Sequence, residues 1–310
     1  MRFTLTDEEG GVRLDKVLCA RMPGLGRAAV KRLFSEGRVK LVGSSGAPRR
    51  AVKGDVGVAG VEVDVEAPST DTTAVADPDT ALTVVLETDR VLVLDKPAGQ
   101  PTAPLAPGEK GALANALVAR YPEVSPIGFS PREPGLCHRL DTDTSGLVLA
   151  ARTPEAFQTL TTALREGRLD KRYLLLVSAR DLPSTGTIDI GLAPHPKDRR
   201  RVLACLHPRD VARNDPRPAS TTYQVLSEHG GVALVEARAP KAMRHQIRAH
   251  FAAIEHPLLG DLLYGAEPVP GLSRHALHAH YIAWGGDKVV PALAVTSPLP
   301  PELARFVADA

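Results

Sequence analysis

Apolar positions along this chain fall into short runs with two periods, one helical and one alternating. Over residues 13–21, Leu14, Val17 and Leu18 share one helical face. Over 27–36, Val30, Leu33 and Phe34 do the same, with Arg27, Lys31 and Arg32 turned outward. Gly37 stands where a helix ends on glycine. Val39, Leu41 and the alternating run from Val56 to Val65 predict short strands, with turns at 43–46 and 54–55. Further on, 83–86 and 91–94 read as buried strands around the turn 87–90, and 111–121 as a helix carrying Leu113, Leu117 and Val118. Leu147 to Ala151 is an apolar run too short for a helix. A helix over 155–164 and strands over 171–177, 219–226 and 232–238 follow. The last clear helix, 244–255, puts Ile247, Phe251 and Ile254 on its inner stripe and leaves Arg248 off that stripe.

Two stretches break this pattern. Residues 67–81 are rich in Pro, Ser, Thr, Asp and Ala and read as a flexible linker. With 310 residues in the chain, two domains are expected on either side of it, 1–66 and 82–310. Residues 195–217 are poor in apolar side chains and read as a long irregular insertion, with Arg199, Arg200 and Arg201 consecutive and able to touch phosphates. Charge is uneven too. The net charge is only +2, yet residues 1–60 carry twelve Lys or Arg against six Asp or Glu. A basic lobe on a near-neutral chain points to an anionic partner.

Candidate chemistry centres on His138-Arg139-Leu140-Asp141-Thr142-Asp143-Thr144-Ser145-Gly146, polar residues leading into the apolar run. A loop anchored to a buried strand holds a reactive carboxylate in place. An Asp-capped turn before a core strand has the same composition, so the residues alone leave both readings open. His245, His250 and His256 do not have the spacing of a zinc site, and no Gly-x-Ser-x-Gly elbow supports a hydrolase. Cys19, Cys137 and Cys205 lie far apart, which suggests a reducing cytoplasm. No apolar run approaches the roughly 20 residues of a membrane span. Acidic residues 7–9 stand where a signal peptide would be apolar.

His-Arg-Leu-Asp, two residues, then Thr-Ser-Gly-Leu and an aliphatic run resembles the signature of the RluA-type RNA pseudouridine synthases. Lys96-Pro97-Ala98-Gly99 resembles that family's first motif, Lys171-x-Tyr173 its tyrosine motif, and His245-Gln246-Ile247-Arg248 with 256–265 its third. Residues 275–279 and 298–300 look like its closing segment. Arg13-Leu14-Asp15-Lys16, the basic second helix and Glu36-Gly37-Arg38-Val39 resemble the αL RNA-binding module named for a small-subunit ribosomal protein. That module usually has Ser where this chain has Gly26, a weaker helix cap. Just upstream of the third motif the chain departs from the family, with Lys241, Ala242 and Met243 in place of Thr-Gly-Arg.

The resemblance implies an α+β fold: a mixed, largely antiparallel sheet in the catalytic domain, with a small N-terminal α/β RNA-binding domain. It implies isomerisation of uridine to pseudouridine in RNA, ribosomal RNA above transfer RNA, by a cytoplasmic monomer. Catalytic roles fall on Asp141, Tyr173 and Arg248. Substrate binding falls on His138, Arg139, Thr144, His245 and Gln246, and RNA binding on Arg27, Lys31, Arg32 and Arg38. Lys96 would support the catalytic loop, a phosphate contact being the weaker alternative. The reaction breaks the bond between ribose C1′ and N1, turns the base and joins C5 to the sugar. Nothing is oxidised or consumed, so no cofactor or metal is called for. Asp141 could act as nucleophile or as base. Tyr173 could stack on the base or take the C5 proton. Arg139 could fill the place of the flipped nucleotide. The competing readings are a non-catalytic RNA chaperone or ribosome-assembly factor on the same fold, and a nucleotide hydrolase or sugar-binding enzyme built around Asp141.

Overall fold

The computed structural model describes residues 1–22, 27–43, 47–66 and 73–307, less the side chains of residues 28 and 29. The expected Gly26 cap and the centre of the 43–46 turn lie outside the described residues. The chain divides into two compact units, Met1–Asp71 and Thr72–Ala310.

The first unit holds β1 (Arg2–Thr4), α1 (Leu14–Arg21), α2 (Arg27–Ser35), β2 (Val39–Val42), β3 (Pro48–Arg50) and β4 (Glu62–Val65). Its four-stranded antiparallel sheet runs β1-β4-β2-β3. Leu14, Val17, Leu18, Val30, Leu33 and Phe34 are buried together against Val39, Val63 and Val65, as the helical and alternating periods required. Gly37 adopts the left-handed φ of 73° that ends α2.

The second unit holds β5 (Thr83–Glu87), β6 (Val91–Lys96), α3 (Leu113–Arg120), β7 (Ser145–Ala151), α4 (Pro154–Glu166), β8 (Asp170–Ser178) and β9 (Thr185–Asp189). It continues with β10 (Leu192–Pro194), β11 (Val202–Ala204), α5 (Pro208–Asn214), β12 (Ser220–His229), β13 (Val232–Arg238), α6 (Gln246–Ala253), β14 (Leu277–Trp284), β15 (Leu293–Thr296) and α7 (Pro301–Ala304). Nine strands form one sheet in the order β5-β6-β7-β14-β8-β13-β12-β9, with β15 paired to β14. Every pairing in it is antiparallel except β7 with β14.

Strand alternation sends the central strands into two cores. Leu92, Leu94, Val148 and Ala150 join α3 and α6, with Leu113, Leu117, Ile247 and Phe251. Val91, Val93, Leu147, Leu149 and Ala151 join Ala156, Leu160 and Ala163 of α4 and Trp284. The start of α4 is written locally: Thr153 caps Ala156 N at 3.2 Å and Pro154 opens the helix. Gly146 has φ 113°, and a Cβ there would run into the backbone of Ala279 on β14. Glycine is needed at that point for β7 and β14 to meet.

Two expectations are corrected. Residues 67–72 of the expected linker lie outside the described residues, but 73–81 are fastened to the second unit. Ala74 N donates to Pro131 O at 2.9 Å, Asn115 Nδ2 to Val75 O at 2.8 Å, and Gly111 N to the buried Asp77 carboxylate at 3.2 Å. The reading of 195–217 as irregular also fails: β10 and β11 form a hairpin and α5 follows. The hairpin's apolar residues, Leu192, Val202 and Ala204, sit against Ala249 and Tyr264, which makes up for their small number.

Candidate active site

The loop before β7 presents Asp141, and side chains from distant parts of the unit hold its backbone. Thr102 Oγ1 donates to Leu140 O at 2.7 Å, and the fully buried Lys96 ammonium donates to Thr142 O at 2.9 Å. Arg274 Nη1 donates to Asp143 O at 3.2 Å, and Thr144 N closes a turn on Asp141 O at 3.1 Å. Thr144 Oγ1 lies 2.7 Å from His275 Nε2, and Ser145 Oγ 2.9 Å from His278 Nδ1. Lys96 spends its other donors on the carbonyls of Pro97 and Gln100, so it braces the loop and is not available to a phosphate. Burial pushes its pKa down to about 8, against the opposing pull of Asp143 and Asp141. His275 and His278 are held neutral by burial, at about 2 and about 4, so the loop's supports keep one charge state around neutrality.

Arg248 projects from α6 toward this loop. Its Nε and Nη2 bond the two oxygens of Asp261 at 2.7 and 2.8 Å, and Nη1 reaches Asp141 Oδ2 at 3.1 Å. Asp261 fixes the plane of the guanidinium, and the remaining edge fixes Asp141. Burial would lower the Arg248 pKa, but Asp261 and then Asp141 outweigh it and the net shift is upward. The Asp141 side chain keeps 25% of its surface exposed, so the carboxylate is held and still reachable.

His245 precedes α6 in a left-handed conformation, φ 55° and ψ 15°, strained for a non-glycine residue. Val202 N donates to Tyr264 Oη at 2.9 Å, and the same hydroxyl lies 3.0 Å from His245 Nδ1. The other ring nitrogen, Nε2, lies 3.6 Å from Asp141 Oδ2. Burial lowers the His245 pKa, so the ring is neutral.

Asp141, Arg248, His245 and Tyr173 line one pocket of about 590 Å³, together with His138, Arg139, Thr144, Lys171, Gln246 and Leu277. That volume suits a nucleotide-sized ligand. Tyr173 is buried, and burial followed by the charge of Asp141 pushes its phenol up to about 12. His138 accepts from Leu149 N at 3.1 Å and is neutral, its pKa driven down to about 3 by burial. Arg139 lies at the rim, its side chain 58% exposed and tied to Glu133 at 3.1 Å. Gln246 uses its amide at both ends on protein, accepting from Met243 N at 2.9 Å and donating to Ser220 O at 2.8 Å. That side chain holds the turn into α6, and Thr144 is likewise engaged with His275. Both side chains also line the pocket.

Of the residues expected on the N-terminal unit, Arg27 and Lys31 face a second concavity with Arg13, Lys16 and Lys53. Arg32 and Arg38 flank Glu36 at 3.9 and 2.9 Å. Three contributors to the main site escaped sequence reasoning: Asp261, Tyr264 and Lys171. The first two lie in the third motif, and Lys171 opens the tyrosine motif, two residues before Tyr173 on β8. Among the described residues no group of three or more His, Cys, Asp or Glu side chains could hold a metal, and no helix is long and apolar enough to cross a membrane.

Comparison with known proteins places this architecture in a class. Residues 90–253 match the model of the RNA pseudouridylate synthase family. An uncharacterized RNA pseudouridine synthase of Chloroflexus aurantiacus is 38% identical over 94% of this chain and 87% of its own length. The ribosomal large subunit pseudouridine synthase D of Xanthomonas campestris is 32% identical over 97% of this chain and 89% of its own. The structure of human RNA pseudouridylate synthase domain containing 1 superposes with a TM-score of 0.58 at 27% identity, over 74% of this chain and 88% of that one. The chain belongs to the RNA pseudouridine synthase family and is an RNA pseudouridine synthase.

Proposed function

We propose that this enzyme converts specific uridines of ribosomal RNA to pseudouridine, and that Asp141 is the group acting on the ribose. The observation that carries the reading is the Asp141 carboxylate, reachable at the pocket and oriented by Arg248 at 3.1 Å. A carboxylate there can attack C1′ or remove a ribose proton, and the buried guanidinium beside it fixes its orientation. Tyr173 offers its ring to the uracil. With its pKa near 12, a phenolate at neutral pH is disfavoured, which favours packing on the base over taking the C5 proton. Arg139, at the rim, is placed to occupy the gap left by a flipped nucleotide once Glu133 releases it.

Ribosomal RNA is favoured because several relatives carry the name ribosomal large subunit pseudouridine synthase D. The basic N-terminal unit supports the same choice as an αL-type lobe, with Arg27 and Lys31 beside Arg13, Lys16 and Lys53. The working form is taken to be a cytoplasmic monomer. The test is pseudouridine mapping of RNA from cells with and without the gene, alongside purified Asp141→Asn and Asp141→Ala. Both variants are expected to lose isomerisation while keeping RNA affinity within a few-fold. Measurable product from Asp141→Asn would sink the assignment.

A further inference from the structure

Four cations line the pocket, and three already have acceptors. Arg248 serves Asp261 and Asp141, Arg139 pairs with Glu133, and Arg244 donates to Arg199 O at 2.7 Å. Lys171 is the fourth. The residue is 8% exposed, and among the described residues it has neither a carboxylate nor a hydrogen-bond acceptor. It stands on β8 two residues before Tyr173, so strand alternation puts both on the same face. Burial alone drives its pKa down to about 8, with no opposing charge to restore it. A buried charge without a partner is costly, and such an arrangement persists where a ligand supplies the partner.

The chemistry of the bound nucleotide says what that partner is. Its phosphodiester already carries charge and belongs to the solvated backbone, where the exposed Arg139 and Arg244 suit it. The uracil enters neutral. When the C1′–N1 bond breaks, its electron pair stays on N1, and the base becomes a monoanion with charge spread onto O2 and O4. The electron-poor C1′ is met by Asp141, or the sugar loses a proton to it. The base then turns, C5 bonds to C1′ as the bond to Asp141 breaks or as Asp141 returns the proton to the sugar, and the C5 proton passes through solvent to N1.

We propose that the Lys171 ammonium is a catalytic residue that hydrogen-bonds a carbonyl oxygen of the departing uracil and neutralises the uracil anion while the base turns. The proton stays on Nζ throughout, and the interaction is strongest where charge develops, not in the ground state. A desolvated ammonium needs no reorganisation at that moment. This inference rests on the reading of Asp141 as the group acting on ribose.

The test uses the full chain and a large-subunit ribosomal RNA fragment that the wild type modifies. Lys171→Met, Lys171→Arg and Asp141→Asn are compared for RNA affinity, single-turnover rate at saturating enzyme, and thermal unfolding. Lys171→Met is expected to bind the fragment within about threefold of wild type and to react about 10²–10³-fold more slowly, the usual cost of losing one transition-state donor. It is also expected to melt above wild type, because the buried unpartnered charge is gone. Lys171→Arg should recover part of the rate. Unchanged single-turnover rate in Lys171→Met overturns the proposal. So does weakened affinity with an unchanged saturated rate, which would make Lys171 a phosphate contact. A slow variant that melts below wild type would assign Lys171 to the fold and overturn it equally. Product from the wild type and none from Asp141→Asn verify the underlying reading in the same assay, so a failure at Lys171 alone counts against Lys171 alone.

Discussion

Arg248 grips Asp261 through two parallel hydrogen bonds, Nε at 2.7 Å and Nη2 at 2.8 Å, with both side chains buried. Asp261 does not line the pocket, yet it decides which edge of the guanidinium faces Asp141. Asp261→Ala leaves the buried cation with half its partners and should cost about 3–5 kcal/mol of stability. The single-turnover rate should fall as well, although the substituted residue touches no RNA. Arg248→Lys should retain part of the activity, keeping the charge and losing the planar fork, and Arg248→Met less. Rates and denaturant midpoints on the purified proteins check this. A fully active Asp261→Ala would mean that the orientation of Arg248 is immaterial.

The two buried lysines predict how stability responds to alkali. Lys96 and Lys171 have folded pKa values of about 8, below the 10.5 of a free lysine. Between those values the unfolded chain binds protons that the folded chain has released, so each lysine makes stability rise with pH across that window. Below about pH 8 both states are protonated and this contribution to the slope vanishes. The buried Cys137 thiol, pushed up by burial, works in the opposite direction above pH 9, but it is common to wild type and variants. Urea unfolding at pH 7.5, 8.5 and 9.5 should therefore show a smaller rise for Lys171→Met than for wild type. Identical pH profiles would mean that Lys171 is better solvated than its position in the wall implies.

Where the catalytic unit begins has a practical consequence. A chain starting at residue 73 keeps Ala74, Val75 and Asp77 on their partners, and one starting at Leu82 loses them. The shorter chain should unfold at lower temperature. The longer one should keep its fold while binding RNA more weakly than the full chain. Its affinity should also depend less steeply on salt, each lost phosphate contact removing roughly one unit of slope. Equal salt slopes for the full chain and the chain starting at residue 73 would show that the basic lobe does not hold RNA.

Gly146→Ala tests the junction of β7 and β14. The new methyl group meets backbone atoms of Ala279, which cannot swing aside, at a φ that alanine rarely adopts. A loss of more than about 1 kcal/mol is expected, along with displacement of the Asp141 loop. A variant of wild-type stability and rate would show that the two strands can part without harm.

The sequence made Asp141, Arg248 and Tyr173 legible because they sit in contiguous motifs, and the periodicity of 244–255 already set Arg248 apart from Ile247, Phe251 and Ile254. It could not show that Lys96 and Thr142, or Arg274 and Asp143, would meet, because no local pattern encodes contacts between residues so far apart. Lys171 stood at the head of the tyrosine motif, but its burial was not legible, because that depends on the register of β8 beside β14. Composition misled at 73–81, where a few polar bonds to Gly111, Asn115 and Pro131 do the fastening and apolar residues are scarce. It misled again at β10 and β11, whose small apolar side chains are completed by Tyr264 and Ala249 from elsewhere. Strand β14 went unassigned, since His278 and His280 interrupt its apolar run. Both are satisfied inside the protein, by Ser145 and by Glu236.

The position of β14 has a consequence for how the enzyme comes into being. This strand lies between β7, which follows the Asp141 loop, and β8, which bears Lys171 and Tyr173. On the ribosome β7 and β8 are made early, and residues 179–276 must follow before the strand that joins them appears. Until then Asp141 and Tyr173 belong to two separate patches of sheet, and pairing between residues so far apart in sequence is slow to form. A nascent or prematurely ended chain can carry every motif up to Arg248 and still be chemically silent. The two halves of the site can therefore meet only after β14 has been made.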